Sequence, residues 1–465
     1  MRGQMSGEQA DSPLASWAEL DKGVRRKLAQ TAVLQEDISL VKSCLFELKQ
    51  IASYLGQGWA VRPFGSIANG FAKRGSDLDA TLFKDHSFQA ADGDPEPSSS
   101  ELLERVVALL QGKADIEIVE EVKGARIPIL RMKYGGVLDV DLSFQNTEPL
   151  PNTQLLRSYA FISPVVRDLV VLVKIWAKGA GVCGAPQGHL SAYACTLMVL
   201  YFLQVSPVTR LPVLPAAHFG GEPGVPDVAR QLTWRCPKPL PELLRGFFQF
   251  FAQDFQWGTE VVSVRTGHRA LASEDVYSEL RGRFSVRVHI EDPFLLKRNL
   301  HCTLRQELEQ DLYHKIWEAF QLLQEGGLPP ELCSPELPTA RNGSHQAEDG
   351  RRPAGQGDYN KEALMPKYSQ SRSQGYPGAA VGAAVPGDSG ADKVGFAGGA
   401  MVFPGQGSYG AGGHSGVGGS GTAVKAAKNK QAPAEGKVSK PLPPAPAGPA
   451  PEHVPMTSLV SRWNF

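Results

Sequence analysis

The sequence from residue 64 to residue 79 reads FGSIANGFAKRGSDLD, and the rest of the chain is interpreted around this stretch. It starts with a Gly-Ser turn and ends with Asp77 and Asp79. Side chains two residues apart on a β-strand point to the same side, so these two carboxylates would lie next to each other. Like charges at that separation repel unless a cation lies between them, and an all-oxygen set of ligands favours Mg²⁺. Gly65 and Ser66 supply backbone N–H groups and a hydroxyl, which suit a phosphate.

A further carboxylate comes from residues 138–144, which read LDVDLSF. The alternation of apolar and acidic residues predicts a strand with one polar face. Asp139 and Asp141 share that face, and the pattern alone does not choose between them. The polar face of a solvent-exposed strand is the alternative interpretation. The apolar neighbours favour a buried strand, in which carboxylates need metal ions or other partners.

Three motifs follow one another along the chain: Gly65-Ser66, Ser76-Asp77-Leu78-Asp79 and Val140-Asp141-Leu142-Ser143. They resemble the nucleotidyltransferase superfamily that includes DNA polymerase β. More narrowly, they resemble the terminal uridylyltransferases and the non-canonical poly(A) polymerases. In that family the third aspartate precedes a Leu-Ser or Ile-Ser pair, so the resemblance implies Asp141 and leaves Asp139 as a spacer. It also implies that Asp77, Asp79 and Asp141 are catalytic and bind two Mg²⁺ or Mn²⁺ ions. Gly65 and Ser66 would contact the nucleotide.

Residues 165–178 predict a helix that is apolar nearly all round, yet Lys174 and Lys178 lie one turn apart on it. Ammonium groups on such a helix require an anion, and the resemblance implies that this anion is the triphosphate. Asn152 and Thr153 match a family pair near the ribose of the nucleotide. Capping of the following helix is the alternative role for both residues.

Residues 189–204 predict a long buried helix that resembles the family's Leu-Ser-Ser-Tyr helix. The resemblance implies that Tyr193 stacks on the nucleobase and that Ser191 reaches the phosphates. Ala192 replaces the second serine of that motif, so one phosphate contact is absent here.

Residues 288–300 read VHIEDPFLLKRNL and resemble the family's nucleotide recognition motif. The resemblance implies that Asp292 lies near the edge of the base. Leu295 stands where many members have an acid. Arg298 stands where uridylyl-preferring members often have a histidine that rejects purines; arginine can fill the same space, but its hydrogen bonding differs. Arg126 begins a strand that resembles one beside the family site, and it would contact triphosphate or RNA or else form a structural salt bridge.

The chain has 465 residues with 48 basic and 48 acidic side chains, and 42% of its residues are hydrophobic. This neutrality argues against simple electrostatic capture of nucleic acid by the whole molecule. None of the six cysteines forms a Cys-x-x-Cys pair, which is typical of reduced core residues in an intracellular protein. The sequence contains neither a bilayer-length apolar run nor a signal-peptide pattern. We therefore expect no membrane association and a cytoplasmic location, with mitochondrion and nucleus as alternatives.

The order of the predicted strands and helices indicates an α+β fold. The resemblance implies a small mixed-sheet nucleotidyltransferase domain packed against a mainly helical domain of the poly(A) polymerase type. The predicted parts are a disordered N-terminus (1–16), helices packing on the helical domain (17–58), the catalytic domain (59–150), the helical domain with the recognition motif (151–330) and a disordered Gly/Pro/Ala-rich tail (335–465).

From these features we predict a template-independent enzyme that adds UMP from UTP to RNA 3′ ends by a two-metal-ion mechanism and releases pyrophosphate. A poly(A) polymerase that uses ATP is the alternative. A non-catalytic RNA-binding scaffold ranks below both, because all three aspartates are present. The expected partners are RNA 3′ ends, UTP or ATP, and proteins that bind the C-terminal tail.

Overall fold

The computed structural model describes residues 13–85, 96–280 and 288–333. The prediction of a disordered N-terminus at 1–16 lies outside these ranges up to residue 12 and does not hold from Pro13, where the first helix begins. The prediction for the tail at 335–465 lies outside these ranges. Seven strands are described: β1 (Trp59–Phe64), β2 (Leu78–Lys84), β3 (Ile116–Val122), β4 (Ile129–Tyr134), β5 (Leu138–Phe144), β6 (Val261–Val262) and β7 (His289–Ile290). The helices are α1 (Pro13–Thr31), α2 (Gln35–Tyr54), α3 (Gly65–Asn69), α4 (Ser99–Leu110), α5 (Pro149–Ile162), α6 (Pro164–Gly179), α7 (Ala192–Val205), α8 (Asp227–Arg230), α9 (Leu240–Gln249), α10 (Glu309–Gln324) and α11 (Pro330–Cys333).

Strands β1 to β5 form one mixed sheet in the order β1-β2-β5-β4-β3. The central pair, β2 and β5, runs parallel, and the other neighbouring pairs run antiparallel. Helices α5, α6, α7, α9 and α10 form a second, helical core. The predicted fold class, a mixed sheet combined with a mainly helical part, is confirmed.

The sheet has one apolar face and one polar face. On β5, Leu138, Val140 and Leu142 are buried, and the intervening Asp139 and Asp141 point to the opposite side. The apolar face packs against α2 and α4, whose buried side chains share its hydrophobic cluster. The acidic face of the sheet is not covered by α2 and α4, and it borders the cavity that contains the candidate active site.

The two N-terminal helices pack on different cores. Leu20 and Val24 of α1 lie in the helical core, whereas Ile38, Val41 and Leu45 of α2 lie in the core of the sheet. The expectation that residues 17–58 pack on the helical domain therefore does not hold for α2. Its apolar stripe at helical spacing covers the apolar face of the sheet, which would otherwise be exposed.

Helix α9 is followed by a π-helical turn at Phe250–Asp254, and together they carry a stripe of aromatic side chains. Phe247, Phe250 and Phe251 are buried, and the ring centroids of Phe247 and Phe250 lie 5.1 and 5.0 Å from that of Phe251. This aromatic stripe is part of the helical core.

Two 3₁₀ turns, Leu300–Thr303 and Gln306–Leu308, precede helix α10, which starts at Glu309. The helix predicted at 189–204 begins later than expected: α7 starts at Ala192, with Ser191 as its N-cap. The described helices include none with both the length and the apolar character needed to cross a membrane.

Candidate active site

A cavity of about 510 Å³ lies between the polar face of the sheet and helices α5, α6 and α7. It brings together most of the side chains that the sequence singled out. Its lining includes Gly65, Ser66, Asp77, Asp79, Arg126, Asn152, Thr153, Lys174, Lys178, Tyr193 and Arg298. Three predicted site residues do not line the cavity: Asp141, Ser191 and Asp292.

The Gly-Ser turn is the first turn of the short helix α3, and it packs directly on Asp79. Gly65 has a φ of +70°, and a Cβ at this position would lie 2.1 Å from Oδ2 of Asp79. Only glycine combines this backbone conformation with so close an approach. The Gly65 N–H donates to the Thr153 hydroxyl at 3.2 Å, and that hydroxyl donates to the Pro149 carbonyl at 2.8 Å. Thr153, predicted to bind nucleotide, thus also fixes the turn.

Strand register aligns the carboxylates. Asp79 of β2 is the direct partner of Asp141 on the parallel strand β5, so their side chains share one face about 4.8 Å apart along the hydrogen-bonding direction. Asp77 precedes β2 by one residue and lines the cavity. The Ser143 hydroxyl donates to the Ala80 carbonyl at 3.1 Å and ties the two strands together beside the carboxylates.

The electrostatics of these carboxylates favour a cation. Burial, with the neighbouring charges of Asp141 and Asp77, raises the pKa of Asp79 to about 7. Partial burial also raises the pKa of Asp141. A divalent ion would remove this repulsion, and carboxylate oxygens are the ligands that Mg²⁺ and Mn²⁺ prefer, so the donor set fits such ions. As they stand, the side chains in the described ranges form no group of three acidic, histidine or cysteine residues ready to hold a metal ion.

The other aspartate of β5 has a different neighbour. Asp139 faces Lys133 across the β4–β5 ladder, with its Oδ1 3.4 Å from the Lys133 Nζ. Asp141 faces Arg131, whose Nε lies 3.8 Å from Oδ1, and Arg131 also binds Glu120. Register therefore places Asp141 beside Asp79 and pairs Asp139 with a lysine.

The two lysines of α6 line the same cavity as Asp77 and Asp79. Lys174 donates to the Phe71 carbonyl at 2.9 Å, and burial lowers its pKa to about 8. Lys178 is exposed and reaches the same cavity. Lys73, within the quoted stretch, also lines the cavity. Sequence reasoning missed Lys73, although its place between the turn and the aspartates could have identified it.

Three predicted nucleotide-binding residues have buried polar atoms with no hydrogen-bond partner among the described residues. They are the Tyr193 hydroxyl, Oδ1 of Asn152 and Oδ2 of Asp292. Arg298 lines the cavity, with an Nη 3.9 Å from Oδ2 of Asp292, and this part of the site is called the base end. The other Asp292 oxygen accepts from the Phe294 and Leu295 backbone N–H groups at 3.0 and 3.2 Å. Unsatisfied buried polar groups are costly, and Tyr193 and Asn152 line the cavity, so these atoms suit a polar ligand.

Side chains rather than a long strand hold the segment that carries Asp292 and Arg298. Oδ1 of Asn299 accepts from the Ile290 N–H at 3.0 Å, and its amide lies 3.3 Å from the His289 ring. Glu291, almost fully buried, pairs with Arg265 and accepts from the Ser263 hydroxyl at 2.6 Å. Sequence reasoning missed the contacts of Glu291, since Arg265 and Ser263 lie 26 and 28 residues away in the chain.

Two predicted residues have structural contacts instead. The Ser191 hydroxyl caps α7 by accepting from the Ala194 N–H at 3.1 Å, and Ser191 is not among the residues that line the cavity. The first turn of the helix needs this acceptor, and the cap uses a lone pair rather than the proton of the hydroxyl, so the expected phosphate contact stays a prediction. Arg126 is mostly exposed and lies 3.6 Å from Glu148 at the cavity rim, as the salt-bridge alternative expects.

Two family models match the chain. Residues 20–161 match the central palm domain of proteins similar to mitochondrial poly(A) RNA polymerase, and residues 239–298 match the Cid1 family poly(A) polymerase model. Together they cover the sheet with its carboxylates and the segment that carries Asp292 and Arg298.

Curated relatives agree with these matches. Poly(A) RNA polymerase GLD2-A of Xenopus laevis is 30% identical over 293 residues, which cover 59% of this chain and 55% of the relative. Terminal uridylyltransferase 4 of Mus musculus is 30% identical over 264 residues, which cover 53% of this chain and 15% of the relative. The chain thus spans about half the length of the GLD2 relatives and far less of the uridylyltransferase.

Solved structures show the same fold. Cid1 in complex with its short product ApU superposes with a TM-score of 0.57 at 23% identity, covering 68% of this chain and 98% of Cid1. The structure of mtPAP in complex with UTP gives a TM-score of 0.57 at 22% identity, covering 70% and 74%. The class defined by the fold and the site is a nucleotidyltransferase. Within it, the chain belongs to the family of terminal uridylyltransferases and non-canonical poly(A) polymerases.

Proposed function

We propose that this protein is a template-independent RNA 3′-terminal nucleotidyltransferase that transfers UMP from UTP and releases pyrophosphate. The observation that carries the proposal is a single cavity lined by carboxylates (Asp77, Asp79), by lysines (Lys174, Lys178) and by two residues with unpartnered polar atoms (Asn152, Tyr193). These three parts match the reacting phosphate, the rest of the triphosphate and the nucleoside. The family membership of the chain supports the same reaction class.

Asp77, Asp79 and Asp141 would hold two Mg²⁺ or Mn²⁺ ions. When bound, the ions would lower the pKa of the RNA 3′-hydroxyl and stabilise charge on the reacting phosphate. The protein's part is to fix the carboxylates: register sets Asp79 beside Asp141, and Gly65 packs against Asp79. The 3′-hydroxyl would then attack the α-phosphate in line, with pyrophosphate leaving.

The remaining residues position the nucleotide. Lys174 and Lys178 would neutralise the β- and γ-phosphates together with the Ser66 hydroxyl. Asn152, whose carbonyl oxygen has no described partner, would accept a hydrogen bond from a ribose hydroxyl. Tyr193 would stack on the base, which leaves its hydroxyl directed towards the Asp292 end of the cavity.

The base would be selected by Asp292 and Arg298. Ionised Asp292 only accepts and Arg298 only donates, so the pair complements N3–H and O4 of uracil. It equally complements the N6 amine and N1 of adenine, so the choice depends on space. Arg298 lines the cavity beside Asp292. Its side chain would occupy space that the second ring of a purine needs, which favours the single ring of a pyrimidine.

ATP is the second candidate. ATP is favoured by one observation: the relative GLD2-A, a poly(A) RNA polymerase, matches a larger share of this chain than terminal uridylyltransferase 4 does. If ATP is the substrate, the Arg298 side chain would turn away from the base and leave room for a purine.

A tailing assay distinguishes these functions. Single-stranded RNA with a labelled 5′ end is incubated with the protein, one nucleoside triphosphate at a time, and Mg²⁺ or Mn²⁺. We expect extension mainly with UTP, and loss of extension in Asp77→Ala, Asp79→Ala and Asp141→Ala variants that remain folded. Extension mainly with ATP would establish the second candidate. Undiminished extension by any folded aspartate variant would overturn the site assignment.

An Arg298→Ala variant tests the base choice, with Lys297→Ala as the matched control on the neighbouring residue. If Arg298 excludes purines by size, the ratio of kcat/KM for UTP to that for ATP falls about tenfold, or about 1.4 kcal/mol, in Arg298→Ala. The control keeps the parental ratio. An unchanged ratio in both variants would remove Arg298 from base selection.

A further inference from the structure

A second cavity, of about 390 Å³, lies between strand β1, helices α2, α3 and α5, and the segment at residues 221–224. We call it the β1 cavity, and we call the cavity that contains Asp77 and Asp79 the catalytic cavity. Thr153 lines both, and the other residues described as lining the β1 cavity do not line the catalytic cavity. The two cavities are therefore neighbours with separate chemical linings.

The lining of the β1 cavity is rich in cations. Lys49 of α2, Arg62 of β1 and Arg157 of α5 contribute positive charge from three different elements. Glu222 is the only acidic residue among the described residues of this lining. Ammonium and guanidinium groups only donate hydrogen bonds. The excess of positive charge and the donor groups together favour an oxyanion as the ligand.

Gln154 adds a further donor to the β1 cavity. Its side chain is buried, and its Oε1 accepts from the Gly221 N–H at 3.1 Å. This bond sets the orientation of the amide, and its Nε2 group donates to none of the residues that the structure describes. An amide N–H group in a buried side chain needs an acceptor, so Gln154 also suits an oxyanion.

Arg62 is held in one position at the wall of the β1 cavity. Its guanidinium lies 5.3 Å from the centroid of the Phe83 ring and donates to the Gly221 carbonyl at 3.2 Å. It also pairs with Asp85 at 3.5 Å and with Glu222 at 3.2 Å, and the Glu222 side chain is 72% exposed. An ion pair with so exposed a carboxylate contributes little to stability, so an oxyanion can replace Glu222 at a small cost.

The segment that closes the β1 cavity is fixed on two sides. The Gly221 N–H binds Gln154 of α5, and the Gly221 carbonyl binds Arg62 of β1. Gly221 has a φ of +86°, and a Cβ at this position would lie 2.9 Å from Cβ of Leu150, so the close approach requires glycine. These contacts form the walls before any ligand binds, which lowers the cost of binding.

We propose that the β1 cavity binds a phosphate group through its three cations and the Gln154 amide, at a site separate from that of the triphosphate. The phosphate belongs either to the RNA strand whose 3′ end enters the neighbouring catalytic cavity or to a free compound such as a nucleotide. Both sources present the same tetrahedral oxyanion, which guanidinium groups bind through paired N–H donors. The RNA source rests on the proposed function, whereas the phosphate site itself does not.

A phosphate titration tests the site. Inorganic phosphate is added at constant ionic strength to the full chain carrying Lys174→Ala and Lys178→Ala, and thermal unfolding is followed. These substitutions remove the lysines assigned to the triphosphate, so the remaining saturable rise in Tm reports on the β1 cavity. We expect half-saturation at an about fivefold higher phosphate concentration after Lys49→Gln, which removes one charged donor.

Lys42→Gln is the matched control for Lys49→Gln. Both lysines are exposed on α2, and Lys42 does not line the β1 cavity. Half-saturation should stay at the concentration of the double variant after Lys42→Gln. Equal half-saturation in the Lys49→Gln and Lys42→Gln proteins, or the lack of a saturable rise in Tm, overturns the proposal.

Crystals of the parent protein test the location without any substitution. They are soaked in sodium tungstate, a heavy-atom analogue of phosphate whose anomalous signal marks its position. We expect a peak within hydrogen-bond distance of the Arg62 and Arg157 guanidinium groups. Peaks confined to the catalytic cavity or to the outer surface overturn the proposal.

RNA binding distinguishes the two sources of phosphate. The affinities of the parent, Lys49→Gln and Lys42→Gln for a single-stranded RNA are measured over a range of salt concentrations. Loss of one phosphate contact reduces the slope of log K against log salt concentration by about 0.7 for a single strand. A slope reduced by about this amount in Lys49→Gln alone identifies the RNA backbone as the ligand. Equal slopes, together with the Lys49-dependent phosphate titration, identify a free phosphate compound.

The phosphate site and the proposed function fail separately. Lys49-dependent phosphate binding in a protein that extends RNA with none of the nucleoside triphosphates would overturn the proposed function and leave the site. Normal tailing by a protein whose β1 cavity binds neither phosphate nor tungstate would overturn the site and leave the function.

Discussion

The carboxylate end and the base end of the cavity are built by different physical means. Asp79 and Asp141 are aligned by the backbone ladder between two central strands, where register alone places them opposite each other. Asp292 and Arg298 lie beyond a strand of only two residues, on a segment held by buried side chains such as Glu291 and Asn299. A backbone ladder tolerates many substitutions, whereas a side-chain network fails when one member is removed. The two ends should therefore respond differently to mutation.

The largest expected effect is at the carboxylate end. An Asp79→Asn substitution removes a negative charge from the group that would hold the ions, so we expect tailing activity to fall at least ~10³-fold, with little loss of stability. The register of β2 and β5 does not depend on this side chain. Tailing rates and thermal unfolding measure the two effects.

Asp139→Asn is the matched control, because Asp139 shares the acidic face of β5 but pairs with Lys133. It should keep most of the activity. An equal loss in both variants would mean that the general charge of this face, rather than one carboxylate, supports the reaction.

The base end should show the largest loss of stability. Glu291→Ala leaves Arg265 and Ser263 without their buried acceptor, and we expect a loss of about 3 kcal/mol in the free energy of unfolding. Glu318→Ala breaks the exposed pair with Lys315 and should cost about 0.5 kcal/mol or less. Chemical denaturation of both variants gives the comparison, and similar losses would contradict it.

A Gly65→Ala substitution tests the packing at the carboxylate end of the cavity. The added Cβ would meet Oδ2 of Asp79 and displace that carboxylate, so kcat should fall about 10²-fold. Gly112 has a φ of +84° with open space around its Cβ position. Gly112→Ala therefore carries a comparable backbone strain without the contact and should leave kcat near the parental value. An unaltered kcat in Gly65→Ala would show that the carboxylate adapts.

The smallest expected effect is a pH dependence at the base end. Burial, with the nearby His289, lowers the pKa of His301 to about 4. The unfolded chain then binds more protons than the folded chain between about pH 4 and pH 6.5. Stability from this group is complete above pH 6.5 and is lost as the pH falls, by about 1–2 kcal/mol at pH 5.

Thermal unfolding at pH 7.5 and pH 5 measures this effect in the parent and in His301→Gln. The variant should lose less stability than the parent between the two pH values. A parent and a variant with the same pH dependence would show that His301 does not titrate as its burial predicts.

Prediction from sequence succeeded where a local pattern dictates the structure. The alternation of LDVDLSF predicted β5 and its acidic face, and the apolar run around Lys174 predicted α6. Prediction from sequence failed where a single hydroxyl sets the start of a helix or where a partner far away in the chain sets its packing. The Ser191 hydroxyl became a helix cap, and α2 packed on the sheet rather than on the helical core. Local sequence does not specify which neighbouring surface an amphipathic helix covers.

The sequence by itself determined the class of fold, the family and the residue types that the proposed chemistry needs, because periodicity and short motifs are local properties. The alternation pattern left Asp139 and Asp141 open and the resemblance implied Asp141; the tertiary structure showed how Asp141 comes to lie opposite Asp79, through the register between two strands separated by about 60 residues. It also decided that Gly65 must be glycine, because a Cβ there would meet the carboxylate of Asp79. Those facts arise from long-range packing, which brings together atoms that the order of residues along the chain keeps apart.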